Sequence, residues 1–333
     1  MPEFLQYLSS LTPARTGNFI LNESSFLLSR LLGKPIVAGL PWAAAFEPTT
    51  SCNLRCPECP SGMRKFTRQT GHLDLDFYQS VIDQLSPHLL YLTLYFQGEP
   101  TLNRSLPEMI WYARQKDIYV TTSTNGNLLD EDISKALVES GLNRLIISMD
   151  GLDQETYSKY RIGGDLSKVR KGIENIVHWK KELNSSTPYL ELQFLVLGTN
   201  EHQIPLLKSE VKALEVDKLS LKSAQLYNHN KNPFLTSLSG FSRYKPGKDG
   251  ELQLKSKLPN HCHRMWHSPV ITWDGNVVPC CFDKDATHMM GNLKHQSFKE
   301  IWLSPDYISF RKKLFNHRQE IEICRNCTEG IKL

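Results

Sequence analysis

The chain has 333 residues, 40% of them hydrophobic and 22% charged, with a formal net charge of +4 at pH 7. That length and balance suit one large or two medium globular domains, and the mild charge, without a dense Lys/Arg run, makes no case for nucleic acid. No run approaches the ~18 apolar residues that cross a bilayer, and Met1-Pro2-Glu3-Phe4 lacks the basic flank and apolar core of a signal peptide, so a cytoplasmic protein is expected. The eight cysteines crowd towards the two ends, with none from Gly62 to His261. In so long a chain this argues for metal ligation in a reducing compartment over a disulfide framework.

Residues 1 to 42 read as a prelude. Leu21 to Leu32 has helical apolar spacing and ends at Gly33, which predicts a helix packed by that stripe against the rest of the chain in preference to a membrane surface. From 43 to 223 strands and helices alternate. Strand-like runs are Ala43–Pro48, Tyr91–Phe96, Ile118–Ser123, Arg144–Met149, Tyr189–Leu197 and Leu219–Lys222. Helix-like runs between them are Leu75–Leu85, Pro107–Gln115, Glu131–Ser140, Leu166–Leu183 and Gln203–Leu214. This alternation predicts an α/β parallel sheet, either open and doubly wound or an incomplete barrel, with its ligands at the carboxyl ends of the strands. Residues 224 to 260, with Asn228 to Pro233 and Tyr244 to Gly250, read as a linker that reaches over the site. Residues 261 to 333 form a small cysteine-rich unit, helical from Ser297 to Phe315 with a break near Pro305 and with Trp266, Trp273 and Phe282 as its core.

The first strand feeds into Cys52-x3-Cys56-x2-Cys59. Three thiolates on one loop can wrap one face of a compact metal centre but leave one ligand position open, and an open position is where chemistry occurs. An ordinary zinc or ferredoxin-type site would bring a fourth ligand nearby, and the next cysteine is Cys262. This loop resembles the signature of the radical S-adenosylmethionine (SAM) enzymes, in which three cysteines hold a [4Fe–4S] cluster whose fourth iron binds SAM. The resemblance implies an incomplete (β/α)6 TIM-like barrel and a 5′-deoxyadenosyl radical that takes a hydrogen atom from substrate. Gln97-Gly98-Glu99-Pro100 is similar to the family's Gly-Gly-Glu-Pro motif, with Gln97 in place of the first glycine. It implies that Gln97, Gly98 and Glu99 meet the SAM amino group. By the same resemblance Ser123, Asn125, Ser148 and Arg161 are polar contacts to SAM; an arginine grips a carboxylate with two hydrogen bonds. The residue before the third cysteine is usually aromatic in the family; here it is Glu58.

Cys262, Gly275-x4-Cys280, Cys281 and Cys324-x2-Cys327 resemble the SPASM/twitch extension of the same enzymes. With too few cysteines for two clusters, the resemblance implies one auxiliary [4Fe–4S] cluster on Cys262, Cys280, Cys324 and Cys327. A structural zinc site is the alternative that the spacing permits. Cys281 is left over, and Asp283 is a candidate base. The expectation is net oxidation of a small metabolite or sugar, with the auxiliary cluster as electron acceptor and flavodoxin or ferredoxin as electron donor. A peptide-modifying maturase is the second reading, weakened because the prelude is short for a leader-peptide-binding domain. A zinc-stabilised binding protein is the third.

Overall fold

The computed structural model describes residues 3–227, 232–247, 251–255 and 258–327. Asn228 to Lys231 of the expected linker, and Lys248 to Gly250, lie outside these. The chain opens with α1 (Glu3–Leu8) and α2 (Pro13–Leu32), the latter capped by Thr12 and stopped by Gly33 at φ +62°. Six strands follow: β1 (Ala43–Phe46), β2 (Tyr91–Thr93), β3 (Tyr119–Thr124), β4 (Arg144–Ser148), β5 (Tyr189–Val196) and β6 (Lys218–Ser223). They lie parallel in sequence order, joined in register by Ala43 to Tyr91, Tyr91 to Tyr119, Thr121 to Arg144, Arg144 to Tyr189 and Glu191 to Lys218. The helices of this part are α3 (Pro60–Met63), α4 (Leu75–Leu85), α5 (Leu106–Arg114), α6 (Glu131–Glu139), α7 (Gln154–Tyr160), α8 (Leu166–Glu182) and α9 (Leu207–Ala213). Aspartates cap α4, α6, α7 and α8, each accepting from a backbone N–H of the first turn, which satisfies groups that the helix itself leaves open.

Side chains alternate across each strand. Leu190, Leu192 and Phe194 of β5 are fully buried and pack in the hydrophobic core. Glu191, Gln193 and Leu195 point the other way, into the barrel, where Glu191 pairs with Arg144 and with Lys218. The floor of the barrel is closed by α1. The Tyr7 ring stacks on Tyr119 at 4.0 Å between centroids, and Gln6 accepts a hydrogen bond from Asn143.

The long helix α2 corrects the expectation from its spacing. Its buried residues are Arg15, Asn18, Asn22, Ser25, Phe26 and Ser29, while Ile20, Leu21, Leu27, Leu28 and Leu31 are exposed. The reason lies in what it covers. Residues 36–40 and the turn at Trp266 present carbonyls that need donors, and Asn18, Asn22 and Ser29 supply them at Leu40, Trp266 and Ile36. Arg15 does the same for Ser86 and Asp117 beyond the ends of α4 and α5.

Beyond β6 a hairpin of β7 (Tyr244–Pro246) and β8 (Leu252–Leu254) stands apart. Then come α10 (Arg264–His267), β9 (Val270–Ile271), β10 (Asn276–Val278), β11 (Gly291–Asn292), α11 (Phe298–Trp302) and α12 (Pro305–His317). Strand β9 pairs parallel with β1, Ala45 opposite Val270, and β10 and β11 continue antiparallel. The result is one nine-stranded sheet running from β11 to β6. The expected break near Pro305 is Ser304 capping α12 with Pro305 at its first position. Trp266 is fully buried in the core, and Trp273 and Phe282 pack against its edge.

Candidate functional site

The cysteine loop leaves β1 and is stitched to the end of β2. The backbone N–H of Glu99 donates to Ser51 O at 2.7 Å, and that of Gly98 donates to Ser61 Oγ at 2.8 Å. Gly98 has φ +73°, and a Cβ there would stand 2.3 Å from Thr49 O, so only glycine fits. Gln97 is buried, its Oε1 accepting from Ser61 Oγ. Glu99 is buried too. Its carboxylate accepts from Thr101 and from the Asn125 N–H at 2.7 Å, and Asn125 Nδ2 donates to Asn53 in the cysteine loop. Burial pushes the Glu99 carboxyl above its usual range, and these donors pull against that.

Arg161, just past α7, reaches in from the other side. It donates to Asp150 at 2.6 Å and lies 3.9 Å from Cys56 Sγ. Burial disfavours its charge, but Asp150 and Cys56 outweigh burial and hold the guanidinium well above its ordinary range. Asp150 is fixed in turn by the Leu195 N–H, and Asn200 ties its carbonyl to the end of β5. A cavity of about 220 Å³ lies between these groups. Cys52, Cys56, Cys59, Gly98, Glu99, Ser123, Asn125, Ser148 and Arg161 all line it. The three thiols neighbour one another, and burial pushes Cys52 up to about 12 and raises Cys56. Thiols so placed ionise when a metal takes the proton's place.

In the C-terminal unit, Cys280 faces Cys262 and Cys327, and Cys324 faces Cys262. All are buried, and Arg318 donates to Cys327 Sγ at 3.8 Å. Among the described residues no three His, Cys, Asp or Glu side chains converge on a single ion. Cys281, next to Cys280, packs against the cluster of Ala45, Val270 and Val278. Asp283 is buried, its oxygens accepting from Thr287 and from the His288 N–H. It holds the turn after Cys280.

Of the residues expected at the site, Gln97 sits behind the cavity wall and Asp283 in a turn; the other barrel residues meet at one surface. Sequence reasoning missed Tyr95, Tyr160 and Gln193, which also line the cavity, and Asp150, the partner of Arg161. Alternation along β5 carried the signal for Gln193. Glu58 stands where the family usually has an aromatic residue. Its carboxylate accepts from the Tyr227 N–H at 2.8 Å and from Asn232 at 2.7 Å, clamping the segment after β6 onto the cysteine loop.

Residues 46–179 match the family model of the radical SAM superfamily, and residues 262–328 that of SPASM, an iron-sulfur cluster-binding domain. The chain is 27% identical over 301 residues to the tungsten-containing aldehyde ferredoxin oxidoreductase cofactor-modifying protein of Pyrococcus furiosus, covering 80% of this chain and 82% of that one. It is 24% identical over 289 residues to the SAM-dependent 2-deoxy-scyllo-inosamine dehydrogenase of Niallia circulans, covering 84% and 90%. The fold is similar to the crystal structure of BtrN in complex with AdoMet and 2-DOIA, with a TM-score of 0.54 at 20% identity over 89% of this chain and 95% of that one. Among the described residues no helix is long and apolar enough to cross a membrane.

Proposed function

Because the chain belongs to the radical SAM superfamily and carries a SPASM domain, we propose that it oxidises a small molecule by removal of a hydrogen atom at the barrel mouth. The observation that carries this reading is the convergence of the cysteine loop, the Gly98-Glu99-Pro100 turn, Asn125, Ser148 and Arg161 on one cavity at the carboxyl ends of the strands. When bound, a [4Fe–4S] cluster with SAM supplies the 5′-deoxyadenosyl radical, and an auxiliary cluster supplies an acceptor for the substrate's second electron. Cys52, Cys56 and Cys59 would hold the first cluster, and Cys262, Cys280, Cys324 and Cys327 the second. Gly98 and Glu99 present a backbone edge and a carboxylate to the SAM amino group, with Gln97 bracing the turn from behind. Ser123, Asn125, Ser148 and Arg161 orient its remaining polar groups. The chain's other contribution is enclosure, since the Glu58 clamp holds Tyr227 and Asn232 at the loop and limits water at a reactive site.

A flavodoxin or ferredoxin of a reducing cytoplasm is the proposed electron donor. The small-molecule substrate is supported by the match to a sugar-type dehydrogenase over nearly its full length. The test is anaerobic iron and sulfide content, followed by dithionite and SAM on the same sample. About eight irons per chain and 5′-deoxyadenosine are expected for two clusters. Cys56→Ala should abolish SAM cleavage, whereas Cys324→Ala should remove about half the iron and leave cleavage in place. Cleavage that survived Cys56→Ala, or bound zinc without iron, would overturn the reading. Turnover only on a peptide would replace the small-molecule substrate with the maturase reading.

A further inference from the structure

The space between the two cysteine groups is walled by cations that lack carboxylate partners. Lys284, three residues past Cys281, donates to Tyr227 OH at 2.6 Å and to Gln225 at 3.2 Å, both neutral groups. Its ammonium lies near Cys59, Cys281 and Arg243. The nearest acid, Glu58, has its oxygens taken by Tyr227 N–H and Asn232. Arg243 opens β7 from the side and neighbours Cys281 and Cys327. Its Nη2 donates to Ser223 O at 3.0 Å, at the end of β6, while its Nε and Nη1 are buried with no acceptor. Lys222, one residue before that carbonyl, neighbours Lys218 and Arg144. Those two share the one carboxylate of Glu191. Tyr95, on the facing strand end, lies near Cys281, Arg144 and Arg264 and lines the cavity. Among the described residues no carboxylate lies within ion-pair distance of Lys222, Arg243 or Lys284.

Two buried guanidinium N–H groups without acceptors, beside an ammonium held only by neutral oxygens, are costly to maintain. Protein chemistry fills such positions with an anion, because a guanidinium matches the planar or tetrahedral oxygens of a carboxylate or phosphate. Elsewhere in the barrel the cations have carboxylate partners, Arg161 at Asp150 and Arg144 and Lys218 at Glu191.

We propose that this gap binds an anionic group of the substrate, a carboxylate or a phosphate, through Arg243 and Lys284, with Lys222 at the rim. The substrate would then lie with its charged end towards the C-terminal unit and its reacting carbon towards the Cys52 loop. This rests on the barrel mouth being the reaction site, and the two ideas fail separately. SAM cleavage to 5′-deoxyadenosine reports on the first; anion binding, measured without reductant, reports on the second.

The experiment is anaerobic titration calorimetry of the full, cluster-loaded chain with SAM present. One arm uses inorganic pyrophosphate and the other succinate. Saturable binding in one arm is expected, and the arm that binds names the phosphate or the carboxylate. Lys284→Met and Arg243→Gln should each weaken it at least tenfold, Arg243→Lys less, and Lys168→Met, on an outer helix, not at all. Absorbance spectra of each variant establish that both clusters are in place. No saturable binding in either arm to the unaltered protein overturns the proposal. So does binding unchanged in Lys284→Met and Arg243→Gln, and a shift of cluster potential in those variants without loss of binding would give the cations to the clusters alone.

Discussion

At Gly98 two constraints meet in one residue, a left-handed backbone and a carbonyl at 2.3 Å from any added Cβ. Gly98→Ala should therefore displace the cysteine loop from the end of β2, because the clash is with backbone that cannot swing aside. We expect SAM affinity to fall at least tenfold by equilibrium dialysis while the far-ultraviolet spectrum is unchanged; unchanged affinity would show that the loop does not need this approach. His267 offers a second case. It lies in the seam between α2 and the C-terminal unit, stacked on Trp42 at 4.6 Å, with His263 and Arg264 beside it and Glu23 across from His263. Burial first, then the nearby His263 and Arg264, bring it from an ordinary 6.5 to about 3. A lowered folded value means that the unfolded chain takes the proton first. The stability is fully present above about pH 6.5 and is lost as pH falls towards 3, at up to ~1.4 kcal/mol per pH unit. Denaturant midpoints at pH 7.5 and 5.5 should differ less in His267→Gln than in the unaltered chain, and equal differences would assign the slope to other groups.

At the scale of elements, α2 shows where hydrophobic spacing carries information and where it does not. The period of its leucines predicts the helix, but which face turns inward depends on the surface it meets. That surface is a row of carbonyls, so the asparagines and serines go in. Asn22→Leu should destabilise the protein by ~1–3 kcal/mol, since the carbonyl of Trp266 loses this donor and that of Leu40 keeps only Asn18. Leu28→Ser, on the exposed face, should change stability by no more than about 0.5 kcal/mol. Denaturant melts of both variants check the inversion, and a larger loss from Leu28→Ser would contradict it. Strands β2 to β5 were legible because runs with β-branched and aromatic residues ended in Gly, Asn-Gly or Asp-Gly turns. Helix α7 was not, because Gln154 to Tyr160 is short and polar and is held by its Asp153 cap more than by an apolar stripe. The stretch expected as one helix from Gln203 to Leu214 divides into a 3₁₀ turn and α9, with Pro205 in the turn. The cysteine loop stands out in the sequence by its Cys52-x3-Cys56-x2-Cys59 spacing and by its resemblance to a family signature. The Glu58 clamp and the Arg161–Asp150 pair do not, since both join residues whose proximity only the tertiary fold creates.

At the scale of the whole molecule, the C-terminal unit is joined to the barrel through backbone pairing, with β9 completing the open edge of β1. Ending the chain at residue 260 should leave that edge bare and give a protein that elutes as aggregate in size-exclusion chromatography. A monodisperse, folded product would show that β1 does not need its neighbour. The same pairing bears on how the chain is made. Phe46 leaves the ribosome roughly 220 residues before Ile271, which at ~5–20 residues per second is a wait of about 10–45 s. Only in the last part of that interval, after Ser223 has been made, does the barrel have all six of its own strands and still an unsealed border at β1. The nascent protein passes through a stage in which the β1 edge that β9 later closes is still bare.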